Sequence, residues 1–449
     1  MKKSTCLRGL ALLLVLLLSV VPLSACQTEK KPVVSESPEP QTAAFDASTL
    51  TQEQMLEDYD YMWKALEENY PYFELCKRVY GTDEAEIKNS YYKQLKSTDL
   101  TGDELLFFFY STISQALGSF KMAGHLCAIG FEEFHLGQDT NDSPEPGDPT
   151  AEIFNSKQAS IFYRLLQSRY GAPDSDSQNV PAESINSTDY IKQLFSVSEE
   201  DGIPVFKIRS FSTRNTEDAE EYVRQLSEAI LNYIDAPDLI LDVRGNGGGS
   251  TYPWQNGLLP YLYCNGRTRL SYTVVGAYKD GALNRTFWGR DLTTDSGLET
   301  ATIEDIDFLR QRLPSLESFV PEDLNGMNNL ISSVIDQQYC GTADTLFRGR
   351  LWILQDDSCA SATEDLLQLS KRTGIATLVG MPSHGIASYI IPPAFIRLLL
   401  PNSGIIIKFT PFYTFDENGG PYEFNGTTPD ILCSSGDAMM NCLRAIKAQ

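Results

Sequence analysis

The chain has 449 residues and a formal net charge of −24, with 60 Asp and Glu against 36 Lys and Arg. Such an excess of negative charge argues against nucleic acid as a partner and against docking on anionic lipid headgroups through charge. The length supports two or three packed units around a substantial core.

Residues 1–25 carry Lys2, Lys3 and Arg8 and then an apolar stretch over 10–23, the charged and hydrophobic regions of a secretory signal. The stretch ends in Leu23-Ser24-Ala25-Cys26, which resembles a bacterial lipobox with Cys26 as the lipidated first residue of the mature protein. Residues 27–45, rich in Pro, Glu, Ser and Thr, read as a flexible tether. An extracytoplasmic protein held to a bacterial cell membrane through lipid on Cys26 is therefore expected, and a second acyl chain matters because one alone holds weakly.

Residues 46–124 read as a helical N-terminal unit. Thr51 to Gln54 forms a capping-box pattern, and Met55, Tyr59, Met62, Leu66 and Tyr70 follow on one helical face before Pro71. A second helix is expected after Thr101-Gly102-Asp103-Glu104, with residues 105–117 as its body. Residues 125–202 form a connecting region: a loop rich in Asp, Pro and Gly over 137–150, a helix over 151–170, and a polar stretch over 171–190. No PDZ module is recognisable in that span.

From residue 203 to the end the grammar is α/β: strand 205–209, helix 217–234, strand 239–243, strand 351–354, a helix opening at Ser361, and strands 376–379 and 404–410. Residues 264–345 read as an insertion with helices over 303–313 and 327–338. Nine cysteines are present. Apart from Cys6 and Cys26 they are odd in number and form no C-x-x-C pair, so buried thiols are the default, although Cys433 and Cys442 stand close enough to bridge.

Two segments carry chemistry. Asp242-Val243-Arg244-Gly245-Asn246-Gly247-Gly248-Gly249 follows a strand, yet it meets neither G-x-G-x-x-G nor the P-loop pattern, so a backbone amide facing a cleft is a better use of its glycines than a phosphate cradle. Ser361 stands at a strand-to-helix turn, where unpaired amides and the positive end of the helix dipole suit an oxygen that becomes negative during acyl transfer. Cys359, two residues earlier, precedes the turn and is the weaker nucleophile candidate. H-E-x-x-H and G-x-S-x-G are both absent, and three separated histidines make no zinc signature. Neither a metal nor an organic cofactor is expected.

Taken with Ser361-Ala362-Thr363-Glu364, Leu378-Val379-Gly380-Met381-Pro382-Ser383-His384-Gly385, Leu400-Pro401-Asn402-Ser403-Gly404 and Glu423-Phe424-Asn425-Gly426-Thr427-Thr428-Pro429-Asp430, the glycine segment resembles the S41 family of serine peptidases over residues 200–432. The resemblance implies a crotonase-like or ClpP-like core of ββα units and a peptide or unfolded-protein substrate. It also implies Ser361 as nucleophile. Processing proteases of the family place a lysine base directly after the glycine matching Gly385, where this chain has Ile386. Tricorn-like members use a histidine and a late carboxylate, which match His125 and Glu423, although the family's serine before that histidine is Gly124 here. An imidazole can take the serine proton and return it to the leaving amine, with Glu423 holding its tautomer.

His384 is the rival base or a residue of the substrate cleft, and His135 reads as an ordinary hydrogen-bonded histidine. The amides of Gly247 or Gly248 and of Ala362 are the oxyanion candidates, while Asn246 and Arg244 brace the loop. Asp242, Glu364 and Asp430 read as charge partner, helix start and turn. A noncatalytic peptide- or small-ligand-binding lipoprotein on the same scaffold is the alternative. The acidic surface favours basic peptides.

Overall fold

In a computed structural model, described over residues 49–448 outside 141–147, 171–185, 263–268, 289–291, 293–296, 339–340, 387–394 and 425, the capping box at Thr51 is formed. Thr51 Oγ accepts the Gln54 N–H at 3.2 Å and Gln54 Oε1 accepts the Thr51 N–H at 3.0 Å. It opens α1 (Gln52–Asn69), which buries the predicted face of Met55, Tyr59, Met62 and Leu66. Three more helices follow: α2 (Phe73–Tyr80), α3 (Glu84–Lys96) and α4 (Gly102–Gly118). Their core is aromatic, with Phe73 between Trp63 at 6.1 Å and Phe120 at 5.2 Å.

The chain then makes a tight turn at Ala123–His125 and runs through β1 (Cys127–Ala128), α5 (Phe131–Thr140), α6 (Pro149–Phe154), α7 (Lys157–Tyr170) and α8 (Ser187–Leu194). The helix expected over 151–170 is two helices. Asn155 caps α6, and the Ser156 hydroxyl accepts the Ala159 N–H at the start of α7, because short polar side chains compete for backbone groups and favour helix ends.

The α/β core follows as β2 (Phe195–Glu200), β3 (Ile203–Ile208), α9 (Thr216–Asn232), β4 (Asp238–Asp242) and α10 (Tyr252–Gly257). Next come β5 (Arg269–Tyr278), α11 (Ala282–Trp288), β6 (Leu298–Thr302), α12 (Ile306–Arg310) and β7 (Asn329–Gln338). The last part holds β8 (Arg350–Gln355), α13 (Ala362–Thr373), β9 (Ala376–Gly380), β10 (Ile396–Leu399), β11 (Ile406–Phe409), β12 (Phe412–Thr414), β13 (Ile431–Leu432) and α14 (Ala438–Ala448). A six-stranded sheet of order β13-β9-β8-β4-β3-β2 is parallel except at the β2–β3 hairpin. All five residues of β4 are buried, as a strand covered on both faces requires. Leu241 and Ile353 pack on one face with Leu226 of α9 and Leu366 of α13, and Ile240, Trp352 and Val379 pack on the other with Cys442 and Ile446 of α14.

Within the stretch read as an insertion, residues 327–338 are not helical. They form β7, paired antiparallel with β5 from Asn329 to Gln338, and the β-branched Ile331, Val334 and Ile335 account for the choice. The helix expected over 303–313 shrinks to α12, capped at Asp305 and ended short of Pro314. With β6 and β12 these strands make a second sheet of order β12-β5-β7-β6.

A third, three-stranded sheet of order β1-β11-β10 ties the two ends of the chain together. Its β10–β11 turn is pinned to α1 by the buried carboxylate of Asp58, which accepts the N–H groups of Asn402 at 3.0 Å and Ser403 at 2.7 Å. Cys433 and Cys442 are free thiols, as are Cys76, Cys127 and Cys359. Among the described residues no helix is long and apolar enough to cross a membrane. The signal, Cys26 and the tether lie outside the described residues.

Candidate active site

The loop between β8 and α13 is built around two buried anchors. Cys359 Sγ donates to the carbonyl of Val243 at 3.2 Å, and Asp356 Oδ1 accepts the N–H groups of Gly245 at 3.0 Å and Ser358 at 3.1 Å. Burial pushes the Cys359 thiol up to about 12, which removes it as a nucleophile and leaves it a packing residue. Two residues on, Ser361 takes φ 55° and ψ −124°, a strained position that turns its side chain out at the start of α13. Its N–H donates to Gly385 O at 3.1 Å, and the buried Trp254 Nε1 donates to Ala362 O at 3.1 Å, so the first turn of the helix is held from both sides.

His125 reaches this serine from the other end of the sequence. Its Nε2 lies 3.1 Å from Ser361 Oγ. Its Nδ1 faces Thr410 Oγ1 at 3.5 Å. The chain enters His125 through positive φ at Lys121, Met122 and Gly124, and His125 itself has φ 57°. Gly124 has φ 55°, and a Cβ there would stand 2.7 Å from the Tyr72 ring, so the serine that the family places at this position does not fit. The Gly124 carbonyl accepts the Thr410 N–H at 2.6 Å. Its amide donates to Glu423 Oε1 at 3.1 Å. Glu423, fully buried, therefore reaches the histidine through the backbone of Gly124, whereas the sequence reading has it on the ring. The group beside Nδ1 is Thr410, which nothing in the local sequence singles out.

Burial, with the charge of Lys408 as a second cause, lowers the His125 pKa to about 3. The imidazole is neutral at pH 7, and a neutral ring is the form that accepts a proton.

The glycine loop lies against Ser361. A Cβ on Gly248 would stand 2.7 Å from Ala360 O, 2.8 Å from Ser361 Cβ and 3.0 Å from Ala362 N. Gly248 is not itself a free donor, however, because its N–H is bound by Asn246 Oδ1 at 2.9 Å. The amides of Gly247 and Ala362 make no hydrogen bond with a described residue, which narrows the oxyanion candidates to those two. Asn246 and Arg244 brace the loop as predicted: Asn246 Nδ2 donates to Ile208 O, and Arg244 grips Asp242 with Nε and Nη2 at 2.8 Å each.

Among the described residues His384 makes no hydrogen bond to Ser361. Its N–H donates to Cys359 O at 2.8 Å and its ring packs edge-on against Phe424 at 6.1 Å. His135 pairs with Gln167 at 3.1 Å, away from the site. Ile386 is buried with φ 58°. Glu364, read as a helix start, is more than that. Its buried carboxylate accepts from Ser383 Oγ, Tyr422 Oη at 3.0 Å, and both Thr427 N at 3.0 Å and Thr427 Oγ1 at 2.6 Å. It thereby ties α13 to the segment that holds Ser361 N and to the one that carries Glu423.

The sequence model of peptidase family S41 matches residues 202–433, and the chain belongs to that family. Solved structures similar to it include mature CPAF complexed with lactacystin, at 13% identity, 88% of this chain, 98% of that chain and a TM-score of 0.49. A lipoprotein from Streptococcus agalactiae is similar at 15% identity, with 92% and 99% covered and a TM-score of 0.44. The photosystem II D1 C-terminal processing protease is similar at 14% identity, with 86% and 94% covered and a TM-score of 0.38. No curated protein matches the sequence. The family is one of peptidases.

Proposed function

We propose that the protein is a serine endopeptidase that hydrolyses peptides or unfolded protein segments through an acyl-enzyme. The observation that carries this reading is the 3.1 Å approach of a neutral His125 Nε2 to Ser361 Oγ at the opening of α13. Ser361 Oγ bonds to the scissile carbonyl carbon as its proton passes to Nε2. The carbonyl oxygen takes up the negative charge between the amides of Gly247 and Ala362 at the positive end of the helix. Collapse breaks the C–N bond, and the amine leaves with the proton from Nε2. Water then repeats the sequence against the acyl carbon and frees Ser361. With Nε2 empty, the ring proton sits on Nδ1, where Thr410 Oγ1 accepts it. Glu423 is a positioning residue, holding the Gly124–His125 backbone in its strained turn.

Lipid on Cys26 would keep the enzyme at the outer face of a bacterial cell membrane, and loss of radiolabelled palmitate from a Cys26→Ala variant is the check on that part. The mechanism is tested by labelling with a fluorophosphonate probe and by casein cleavage. Both vanish in Ser361→Ala and fall at least about a hundredfold in His125→Ala, while His384→Ala retains them. Folded wild-type protein that neither labels nor cleaves would move the assignment to the noncatalytic binding protein.

A further inference from the structure

Beside His125, the three-stranded sheet holds a cation with no ion-paired partner among the described residues. Arg397 of β10 stands opposite Lys408 of β11, which stands opposite Cys127 of β1, so one row crosses all three strands. Phe395 directly precedes β10 and Thr410 directly follows β11, each two residues from the cation on its own strand. The Phe395 ring lies 4.9 Å from the His125 ring. Lys408 Nζ and the Arg397 guanidinium lie 5.2 and 5.9 Å from the centroid of that same Phe395 ring. Arg397 is thus one aromatic ring away from the proposed general base.

The two cations are treated differently by their surroundings. Lys408 Nζ donates to both oxygens of Glu133, at 2.9 and 2.7 Å. Arg397 makes no ion pair or hydrogen bond with a described residue, and its Nε is buried without an acceptor. Its guanidinium carbon lies 5.2 Å from the centroid of the Phe154 ring and 5.9 Å from that of Phe395. The acids that reach it electrostatically are already engaged: Glu133 by Lys408, and Asp148 by the Thr150 N–H at 2.9 Å, where it caps α6.

A guanidinium carries five donors and no acceptor, and taking it out of water without a partner is costly. A chain with 60 acidic residues had many ways to supply that partner internally. Among the described residues it supplies none. The fork of a guanidinium matches a carboxylate in two parallel hydrogen bonds, and flanking rings hold its plane in place for them.

We propose that Arg397 is a specificity-determining residue that takes a carboxylate of the substrate, from an acidic side chain or from a free C-terminus, on the β10 side of His125. The proposal rests on the reading of Ser361 and His125 as a peptidase site. It runs against the preference for basic peptides that the overall charge suggests, because a desolvated contact at one point outweighs a screened long-range field.

The test uses the full chain with Ser361→Ala, so that binding is read without turnover. Fluorescein-labelled nonapeptides are compared by anisotropy in three matched forms: Glu scanned through the sequence with an amidated C-terminus, Gln at the same positions with an amidated C-terminus, and the Gln form with a free C-terminus. One acid-bearing form is expected to bind about tenfold or more tightly than the Gln amide, and Arg397→Gln is expected to bring that ratio to about one. The form that responds identifies the source of the carboxylate. Equal affinity of all three forms overturns the proposal, and so does a preference that persists in Arg397→Gln. The comparison among peptides needs no Arg397 variant, so a poorly folded variant does not obstruct it. A carboxylate preference in a protein that never cleaves casein would sink the peptidase reading and leave the carboxylate site standing.

Discussion

If His125 is the general base proposed above, its pKa sets both the pH dependence of activity and part of the acid stability. The ring has an ordinary value of 6.5 and is held down to about 3 by burial first and by the Lys408 charge second. An unperturbed histidine base would be about 97% protonated at pH 5, and kcat/KM would drop about thirtyfold between pH 8 and pH 5. With a pKa of about 3 the base stays empty over that range, so kcat/KM is expected to change less than about twofold. The same group makes stability depend on pH. Between pH 6.5 and about 3 the unfolded chain binds this proton and the folded chain does not, so stability is full above 6.5 and is lost as pH falls through that window. At pH 5 the loss from this one ring reaches about 2 kcal/mol. Urea unfolding at pH 8 and pH 5 measures it as the difference between wild type and His125→Gln, which cannot take up the proton. Lys408→Met removes a cation and leaves Glu133 unneutralised, so the acid limb of its rate profile is expected to move up in pH. A wild-type acid limb centred near pH 6.5, or identical pH slopes for wild type and His125→Gln, would refute the environment assigned to this ring.

Two further predictions concern the parts that hold Ser361. Gly248→Ala puts a Cβ within 3.0 Å of three atoms of the 360–362 backbone and side chain at φ 107°, while Gly247→Ala meets nothing within 4 Å. The first is expected to cost at least about a hundredfold in kcat/KM by moving the loop off Ala362, and the second no more than a few-fold, because alanine keeps the Gly247 N–H. The opposite ranking would place the oxyanion elsewhere. Glu364→Ala strands four buried donors, and a loss of about 3–5 kcal/mol is expected in the urea midpoint, with probe labelling of Ser361 slowed. An unchanged midpoint would sink the view of Glu364 as a tie between three segments.

What could be read from the residues alone follows the range of the forces involved. The Thr51 capping box and the buried strand β4 depend on neighbours within a few positions, and both are present where the pattern puts them. Residues 327–338 read as a helix because Leu330, Ile331, Val334 and Ile335 also fit a helical spacing, and the choice of strand is made by β5, some sixty residues earlier. Motifs point to Ser361, His125 and the glycine loop, but not to the hydrogen bond from the Gly124 N–H to Glu423, which depends on a turn at Lys121 to His125 that no local preference predicts. Thr410, Phe395 and Arg397 left no mark in the sequence. They matter because β11 pairs with β1 and β10 with β11, and the first of these contacts joins residues some 280 positions apart.

Backbone strain shows where that long-range assembly is being used. Seven described non-glycine residues have positive φ: Lys121, Met122, His125, Asp201, Ser361, Ile386 and Phe424. Asp201 sits in the β2–β3 hairpin turn, where Asp-Gly is ordinary. The other six belong to four segments, at 121–125, 361, 386 and 424, which the hydrogen bonds described above tie together around the Ser361–His125 contact. Each such position costs on the order of 1–3 kcal/mol and persists only where its surroundings over-determine it. A buried Ile386 in this conformation is especially unfavourable, since a β-branched side chain crowds its own backbone there. Gly385 O fixes Ser361 N, Glu423 fixes Gly124 N, and Glu364 joins both segments, so the strain is held by hydrogen bonds that converge on one pair of side chains. On the proposed peptidase reading, this strain serves to hold the Ser361 hydroxyl and the His125 imidazole together.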